Sequence, residues 1–264
     1  MLVDTHAHLQ WASFDKDREK VINRAKKAGV EYIVNIGFDV DGSIKGIDLA
    51  EKHKGLYATV GIHPHNANQF NQKVLDKLRK LSENPKVVAI GEIGLDYYRN
   101  LSPRQAQKEA FEAQLLLAKE LELPVVIHDR EAHADTLEIL SKFKEEITII
   151  MHCFSGSKEM AKQCVKSNFY ISFAGPITFP NSRKLHEIAK WIKLNKILLE
   201  TDSPWLAPQD MRGKRNEPAF LAFTAKKIAE LKRISMDKLA EATTENAKEI
   251  FQLPQVHTLH TRES

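Results

Sequence analysis

The sequence predicts an α/β protein of the (β/α)8 TIM-barrel class, a single domain with additional C-terminal helices. Three observations lead there. Eight short apolar runs each precede a stretch with apolar residues at helical spacing. Their starts fall about 28 residues apart, which suits βαβ units with crossovers of a dozen residues or more. The runs are continuous rather than alternating, as parallel strands buried on both faces should be. A doubly wound open sheet is the competing arrangement, and eight units favour closure.

The first strand spans Met1 to His8, apolar at Leu2 and Val3 and then abruptly polar through Asp4-Thr5-His6-Ala7-His8. Strand side chains repeat every second residue, which puts Asp4, His6 and His8 on one face. A helix follows over Asp15 to Lys27, with Val21, Ile22 and Ala25 on its apolar side and Gly29 as its stop. Tyr32 to Ile36 reads as the second strand, and helical spacing returns through Ile44, Ile47 and Ala50. The third run, Leu56 to Ile62, ends at His63-Pro64-His65. A helix near Val74 to Leu81 leads to the fourth strand, Val87 to Ile90, after which comes Gly91-Glu92-Ile93-Gly94. Ser102 is placed to cap the long helix that Pro103 opens and that runs to Leu121.

The last four strands are Pro124 to Ile127 with His128 at the end, Ile147 to Met151 ending at His152, Phe169 to Phe173, and Ile197 to Glu200. Helical patterns near Leu137 to Phe143, Ala161 to Val165 and Leu185 to Trp191 separate them. Two more, about Ala219 to Leu231 and Met236 to Phe251, are expected on the outside of the barrel. The division is a barrel over residues 1–253 and a loose tail over 254–264.

With 264 residues, 42% hydrophobic and 28% charged, the chain can bury a sizeable core. A net charge of +4 permits an anionic substrate without marking a nucleic-acid protein by itself. Cys153 and Cys164 make no disulfide framework and suit a reducing cytosol. No signal peptide and no bilayer-spanning run is visible, so a cytoplasmic protein without membrane contact is expected.

Polar residues gather at the carboxyl ends of the strands, which in a barrel form one rim. His6 and His8 end strand one, Glu92 follows strand four, His128 ends strand five, His152 ends strand six, and Asp202 follows strand eight. Any one of these alone is explained as a polar strand end satisfied by its neighbours. Six potential ligands on one rim are not. Four neutral imidazoles and two carboxylates suffice for two divalent cations, with Glu92 as the natural bridge. Mixed nitrogen and oxygen donors suit Zn, Mn, Fe or Co, whereas Mg prefers a site richer in oxygen. Such a pair activates water for hydrolysis, which makes Glu92 and Asp202 the candidate catalytic residues. Asp202 is either a ligand or the general base that orients the water.

Other residues near the rim are candidates for substrate contact. His63 and His65 can touch substrate or protonate a leaving group, and a structural role in their loop is equally compatible. Asp4 can orient a ligand imidazole or simply bond backbone. Cys153 points away from its neighbour His152 and reads as a small buried residue. Arg212, Lys214 and Arg215 put three cations in the loop after strand eight, where they are either solvated or anchor phosphate; Arg130 has a similar claim. Tyr97, Tyr98, Phe154 and Trp205 can stack on bases or pack the rim.

Six stretches carry a resemblance: Asp4-Thr5-His6-Ala7-His8, Gly61-Ile62-His63-Pro64-His65, Gly91-Glu92-Ile93-Gly94-Leu95-Asp96, His128-Asp129-Arg130, His152-Cys153-Phe154-Ser155-Gly156 and Glu200-Thr201-Asp202-Ser203-Pro204. In order and separation, from Leu2 to about Leu253, they resemble the TatD family of metal-dependent deoxyribonucleases, among the amidohydrolase-like barrels. Arg212-Gly213-Lys214-Arg215-Asn216-Glu217-Pro218 belongs to the likeness. Trp205 stands where a tyrosine is usual, and the tail after Leu253 matches nothing in the pattern. The resemblance implies a two-metal hydrolase with His6, His8, a bridging Glu92, His128, His152 and Asp202 as ligands. It implies 3′ to 5′ exonuclease action on single-stranded DNA, by a monomer. Two alternatives remain open: release of a misacylated amino acid from tRNA, and a scaffold that binds metal or nucleic acid without turnover.

Overall fold

Hydrogen bonding joins eight parallel strands in sequence order in this computed structural model, which describes residues 1–254. The strands are β1 (Leu2–Ala7), β2 (Val30–Asn35), β3 (Leu56–Val60), β4 (Val87–Asp96), β5 (Val125–Arg130), β6 (Ile149–Met151), β7 (Tyr170–Phe173) and β8 (Ile197–Leu199). Between them run α1 (Arg18–Lys27), α2 (Val40–Lys52), α3 (Gln72–Leu81), α4 (Arg104–Glu120), α5 (His133–Ser141), α6 (Lys158–Lys166) and α7 (Arg183–Trp191). After β8 come α8 (Leu221–Lys232) and α9 (Met236–Phe251). The expected (β/α)8 barrel is the observed fold. Of the expected tail, residues 255–264 lie outside the described residues.

Two apolar layers hold the strands. One contains residues from six strands, Val3, Val34, Val88, Val126, Ile150 and Leu198 among them, with Tyr57 of β3 and Tyr170 of β7 packed against it. It is the barrel interior. Among the described residues its helical members are Ala247, Ile250 and Phe251 of α9, so this helix closes the barrel floor as well as covering its wall. The other layer, including Leu9, Phe14, Ile33, Phe111, Leu140, Ile188 and Ile228, fills the space between strands and surrounding helices.

The ring closes where β8 returns to β1. Ala7 and Ser203 form a parallel bridge, the Asp202 amide donates to the His6 carbonyl at 2.8 Å, and the His8 amide donates to the Ser203 carbonyl at 2.8 Å. Asp4 adds a buried clasp across this seam. Its carboxylate accepts from the Thr201 amide at 2.9 Å and from the Thr201 hydroxyl at 2.6 Å. Of the two roles open to Asp4, the bond to the neighbouring segment is the one it plays, and burial pushes its pKa up to about 8.

Two local expectations change. β4 does not stop at Ile90: it continues to Asp96, so Glu92 sits inside the strand and not after it. Gly91 and Gly94 allow this, with φ of +153° and +140° and the backbone pressed against β5. A Cβ on Gly94 would collide with the His128 carbonyl oxygen. Gly94→Ala is therefore expected to destabilise the fold by about 3 kcal/mol or more, measured by denaturant unfolding. A change under about 0.5 kcal/mol would show that β4 and β5 are not held so closely. Ser102 does not cap α4 either. Its hydroxyl donates to the His65 carbonyl at 2.9 Å and accepts from the Asn68 amide at 3.1 Å, tying down the loop that carries His65.

Candidate metal centre

β1 delivers His6 and His8 to the rim with their Nε2 atoms 3.1 Å apart. The Nδ1 of His8 donates to the Ile36 carbonyl at 3.0 Å, which leaves its Nε2 as a bare lone pair. Glu92 Oε2 lies 3.4 Å from His6 Nε2 and 3.8 Å from His8 Nε2. Asp202 Oδ1 lies 3.6 Å and 3.5 Å from the same two nitrogens. Four donors, each about 2.1 Å from one cation at tetrahedral angles, stand about 3.4 Å from one another. The five separations given, 3.1 to 3.8 Å, fall near that value. The lone pair of His8 Nε2 faces His6 Nε2 at 3.1 Å, and the buried His6 Nδ1 has no hydrogen-bond partner among the described residues, so nothing in the protein holds the His6 proton on Nε2.

The other oxygen of Glu92 faces a second group. Oε1 is 2.7 Å from His128 Nδ1, 3.5 Å from His152 Nε2 and 3.5 Å from His63 Nε2. One buried carboxylate thus addresses two sets of nitrogens, one through each oxygen. The His6 and His152 rings stack at 3.6 Å between centroids, joining the sets. Two groups of donors that could each hold an ion are His6, His8 and Glu92, and His63, Glu92 and His128; a third is His6, His152 and Asp202. The residues present fit a pair of cations sharing Glu92.

Electrostatics follow from crowding these groups in a buried place. Burial opposes ionisation of Glu92, but the imidazoles of His63, His152, His128 and His6 outweigh it and hold the carboxyl well below the usual range. Asp202 is lowered in the same way, burial again being outweighed, here by His8, His152 and His6. Burial lowers His6 and pushes His63 down to about 4, so His63 is a neutral ring at pH 7. His128 and His152 go the other way. Burial would strip their protons, yet Asp96 and Glu92 push His128 up to about 9, and Glu200 and Glu92 push His152 up to about 10.

That difference predicts a pH dependence. A ligating imidazole nitrogen must be free of its proton, so a cation entering the site displaces protons from His128 and His152. Below pH 9 those protons compete, and competition fades as pH rises. Zn2+ or Mn2+ should bind at least about tenfold more tightly at pH 8 than at pH 6, with proton release measurable by calorimetry in buffers of different ionisation enthalpy. Affinity that does not change with pH would contradict this reading.

Some residues emerge that sequence alone left without a role. Asp96 Oδ2 lies 2.7 Å from His65 Nε2 and 3.2 Å from His128 Nε2, and its backbone amide is held by Gln107 at 2.8 Å. Glu200 Oε1 lies 2.9 Å from His152 Nδ1 and accepts from the Cys153 amide at 2.8 Å. Both carboxylates sit behind ring nitrogens and fix how those rings turn. Their only signal in sequence was membership of the Gly91–Asp96 and Glu200–Pro204 stretches.

The expected substrate contacts divide. His63 joins the metal cluster itself, and His65 stands one step outside it on Asp96. Arg130 is exposed, with its guanidinium 4.2 Å above the Tyr98 ring, and exposed Arg212 lies 5.6 Å from the Phe179 ring. Arg215 is not available in the same way. It forms a two-pronged pair with Asp17 at 2.9 and 2.8 Å and rests 4.4 Å above the Phe14 ring, binding the loop after β8 to the start of α1. Among the expected stacking residues, Trp205 reaches His8, with ring centroids 5.2 Å apart.

Comparison with known proteins agrees with this geometry. A family profile described as TatD related DNase matches residues 3–252. Over 254 residues the chain is 46% identical to a Bacillus subtilis protein named uncharacterized metal-dependent hydrolase YabD, covering 96% of this chain and 100% of that one. It is 38% identical over 259 residues to the 3′-5′ ssDNA/RNA exonuclease TatD of Erwinia tasmaniensis, covering 96% and 100%. Among solved structures, that of YjjV, a TatD homologue from Escherichia coli, superposes with a TM-score of 0.91 at 32% identity, covering 96% of this chain and 98% of that one.

Proposed function

Because this chain belongs to the TatD-related DNase family and is a metal-dependent hydrolase of ester bonds, we propose that it removes nucleotides from the 3′ ends of single-stranded DNA. We assign two divalent cations to His6, His8, Glu92, His128, His152 and Asp202, within one catalytic domain over residues 1–253. The observation that carries this reading is the division of Glu92, with Oε2 toward His6 and His8 and Oε1 toward His128 and His152. When bound, the cations supply charge stabilisation at phosphoryl oxygens and lower the pKa of a nearby water.

The chain's own residues do the rest. Glu92, buried and ionised, fixes the spacing of the two donor sets. Asp202 stays ionised at neutral pH and presents an oxygen beside His6 and His8, where it can take a proton from attacking water. Asp96 and Glu200 keep the rings of His128 and His152 from turning. Arg130 and Arg212 at the rim are suited to the phosphates that flank the scissile one. The assigned donors need no second copy of the chain to complete the set, so we take a monomer as the working unit, and the two free thiols of Cys153 and Cys164 suit the cytoplasm.

The test is an assay of Zn2+- or Mn2+-loaded protein on end-labelled single- and double-stranded DNA, RNA and aminoacyl-tRNA. Stepwise shortening of single strands from the 3′ end is expected. Release of amino acid with intact polynucleotide would replace the nuclease reading with an esterase. Arg212→Ala should weaken binding of single strands and lower the slope of log affinity against log salt by about one. Arg215→Ala should leave that slope unchanged and cost about 1 kcal/mol or less of stability, because its guanidinium is partly exposed and occupied by Asp17.

A further inference from the structure

Four aromatic rings form a closed circuit beside the metal centre. His8 meets Phe38 at 5.8 Å between centroids, Phe38 meets Trp11 at 5.3 Å, Trp11 meets Trp205 at 5.0 Å, and Trp205 returns to His8 at 5.2 Å. The rings are inclined by 58 to 68°, so they touch by edges and leave faces uncovered. Trp11 is 38% exposed and Trp205 43%. Two tryptophans kept open to water, packed against a residue assigned as a metal ligand, mark a surface meant to be covered.

What covers it follows from the surroundings. Trp11 and Phe38 line a cleft of about 520 Å³ that runs toward α2, a volume ordinary for a small-molecule site. The cleft offers little to a phosphate. Of its three cations, Arg18 and Lys45 are already paired with Asp15 and Asp41, and only Lys52 has no such partner among the described residues, whereas four aspartates, Asp15, Asp39, Asp41 and Asp48, share the lining. A flat, uncharged, polarisable ring is the better match. Gln10, in the cleft wall, spends its amide nitrogen on the Ile36 carbonyl at 2.7 Å, and its Oε1 has no donor in the protein among the described residues. The Ile36 carbonyl also takes the proton of His8 Nδ1, so one backbone oxygen orients both the metal-side imidazole and the cleft-side amide.

We propose that Trp11, Phe38 and Trp205 form a subsite for one unpaired nucleobase of the strand whose phosphodiester lies on the metal centre. The proposal rests on the nuclease reading above and deepens it. A base inside a duplex is stacked and paired, and cannot slide between these rings without first leaving its partner. Selection of single strands then originates at the rim beside β1, through base stacking, and not in the charged loop after β8. Stacking is indifferent to which base is offered, so the subsite sorts unpaired from paired ends with little sequence preference.

Equilibrium binding tests this without relying on turnover. The probe is a short single-stranded oligonucleotide with 2-aminopurine at its 3′-terminal nucleotide, whose fluorescence falls on stacking. Its counterpart is an oligonucleotide of the same length with an abasic 3′ residue, followed by anisotropy of a 5′ dye. Both carry a methylene phosphonate in place of the terminal phosphodiester, so that the enzyme cannot cleave them, and both are titrated with the metal-loaded protein. Wild type should quench the 2-aminopurine and bind the abasic strand about tenfold more weakly than the complete one. Trp11→Ala should lose about the same factor on the complete strand and nothing further on the abasic strand, with the loss largely restored in Trp11→Phe. Trp205→Ala, with melting temperature and metal content recorded for each variant, should likewise lose affinity for the complete strand and nothing further on the abasic strand. Equal losses on complete and abasic strands, or quenching untouched by Trp11→Ala, overturn the subsite while leaving the nuclease reading in place. Failure of wild type to bind either strand removes the nuclease reading, and the subsite with it.

Discussion

Glu92→Gln is expected to lower turnover by about a thousandfold or more and to reduce bound metal from two ions per chain to one or none. The reason is local. Each oxygen of the Glu92 carboxylate faces a different group of nitrogens, at 3.4 and 3.8 Å on one side and 2.7, 3.5 and 3.5 Å on the other. An amide keeps the shape but carries no charge and turns an NH2 toward one of the two groups. About 4 kcal/mol of transition-state stabilisation, the scale of a lost charge contact to a reacting phosphoryl group, corresponds to a factor of about a thousand. Metal content by mass spectrometry and kcat on a single-stranded oligonucleotide give the answer together. A variant within tenfold of wild type in both would break the assignment of Glu92 as the bridge.

Asp202→Asn comes next in size. Its carboxylate is held ionised by His8, His152 and His6 against the cost of burial, and its Oδ1 sits 3.5 and 3.6 Å from the two β1 imidazoles. Removing the charge takes away a donor and a proton acceptor together, so kcat should fall by about 100- to 10,000-fold. The seam should survive, because it is made by the Asp202 backbone amide and by Asp4 with Thr201, not by this side chain. A drop in kcat with unchanged metal content would favour the proton-acceptor role; loss of one ion per chain would favour ligation. Near-normal kcat would exclude both.

The barrel was legible because parallel strands covered on both faces must be apolar throughout, and runs such as Val125–Ile127 and Ile149–Met151 are. The convergence of the candidate ligands was legible because His6, His8, His128 and His152 each terminate or closely follow an apolar run, and a closed barrel sends all such ends to one rim. What stayed hidden depends on contacts between remote segments. Arg215 meets Asp17 across nearly 200 positions of chain, so its charge looked free when it is not. His63 resembled a loop residue until β3 set it beside Glu92. The length of β4 was obscured by Gly91 and Gly94, which interrupt an apolar pattern and yet permit the close backbone approach that extends the strand. Trp11, Phe38 and Trp205 share no periodicity, and only the fold makes neighbours of them.

The seam between β8 and β1 has a consequence for the order of events at the ribosome. His6 and His8 are made nearly 200 residues before Asp202, Thr201 and Ser203, which lock against them. A growing chain therefore carries histidines with no partner across the gap, and gathers the full donor set only when the eighth strand docks. Assembly of the candidate metal centre therefore waits on the docking of the eighth strand.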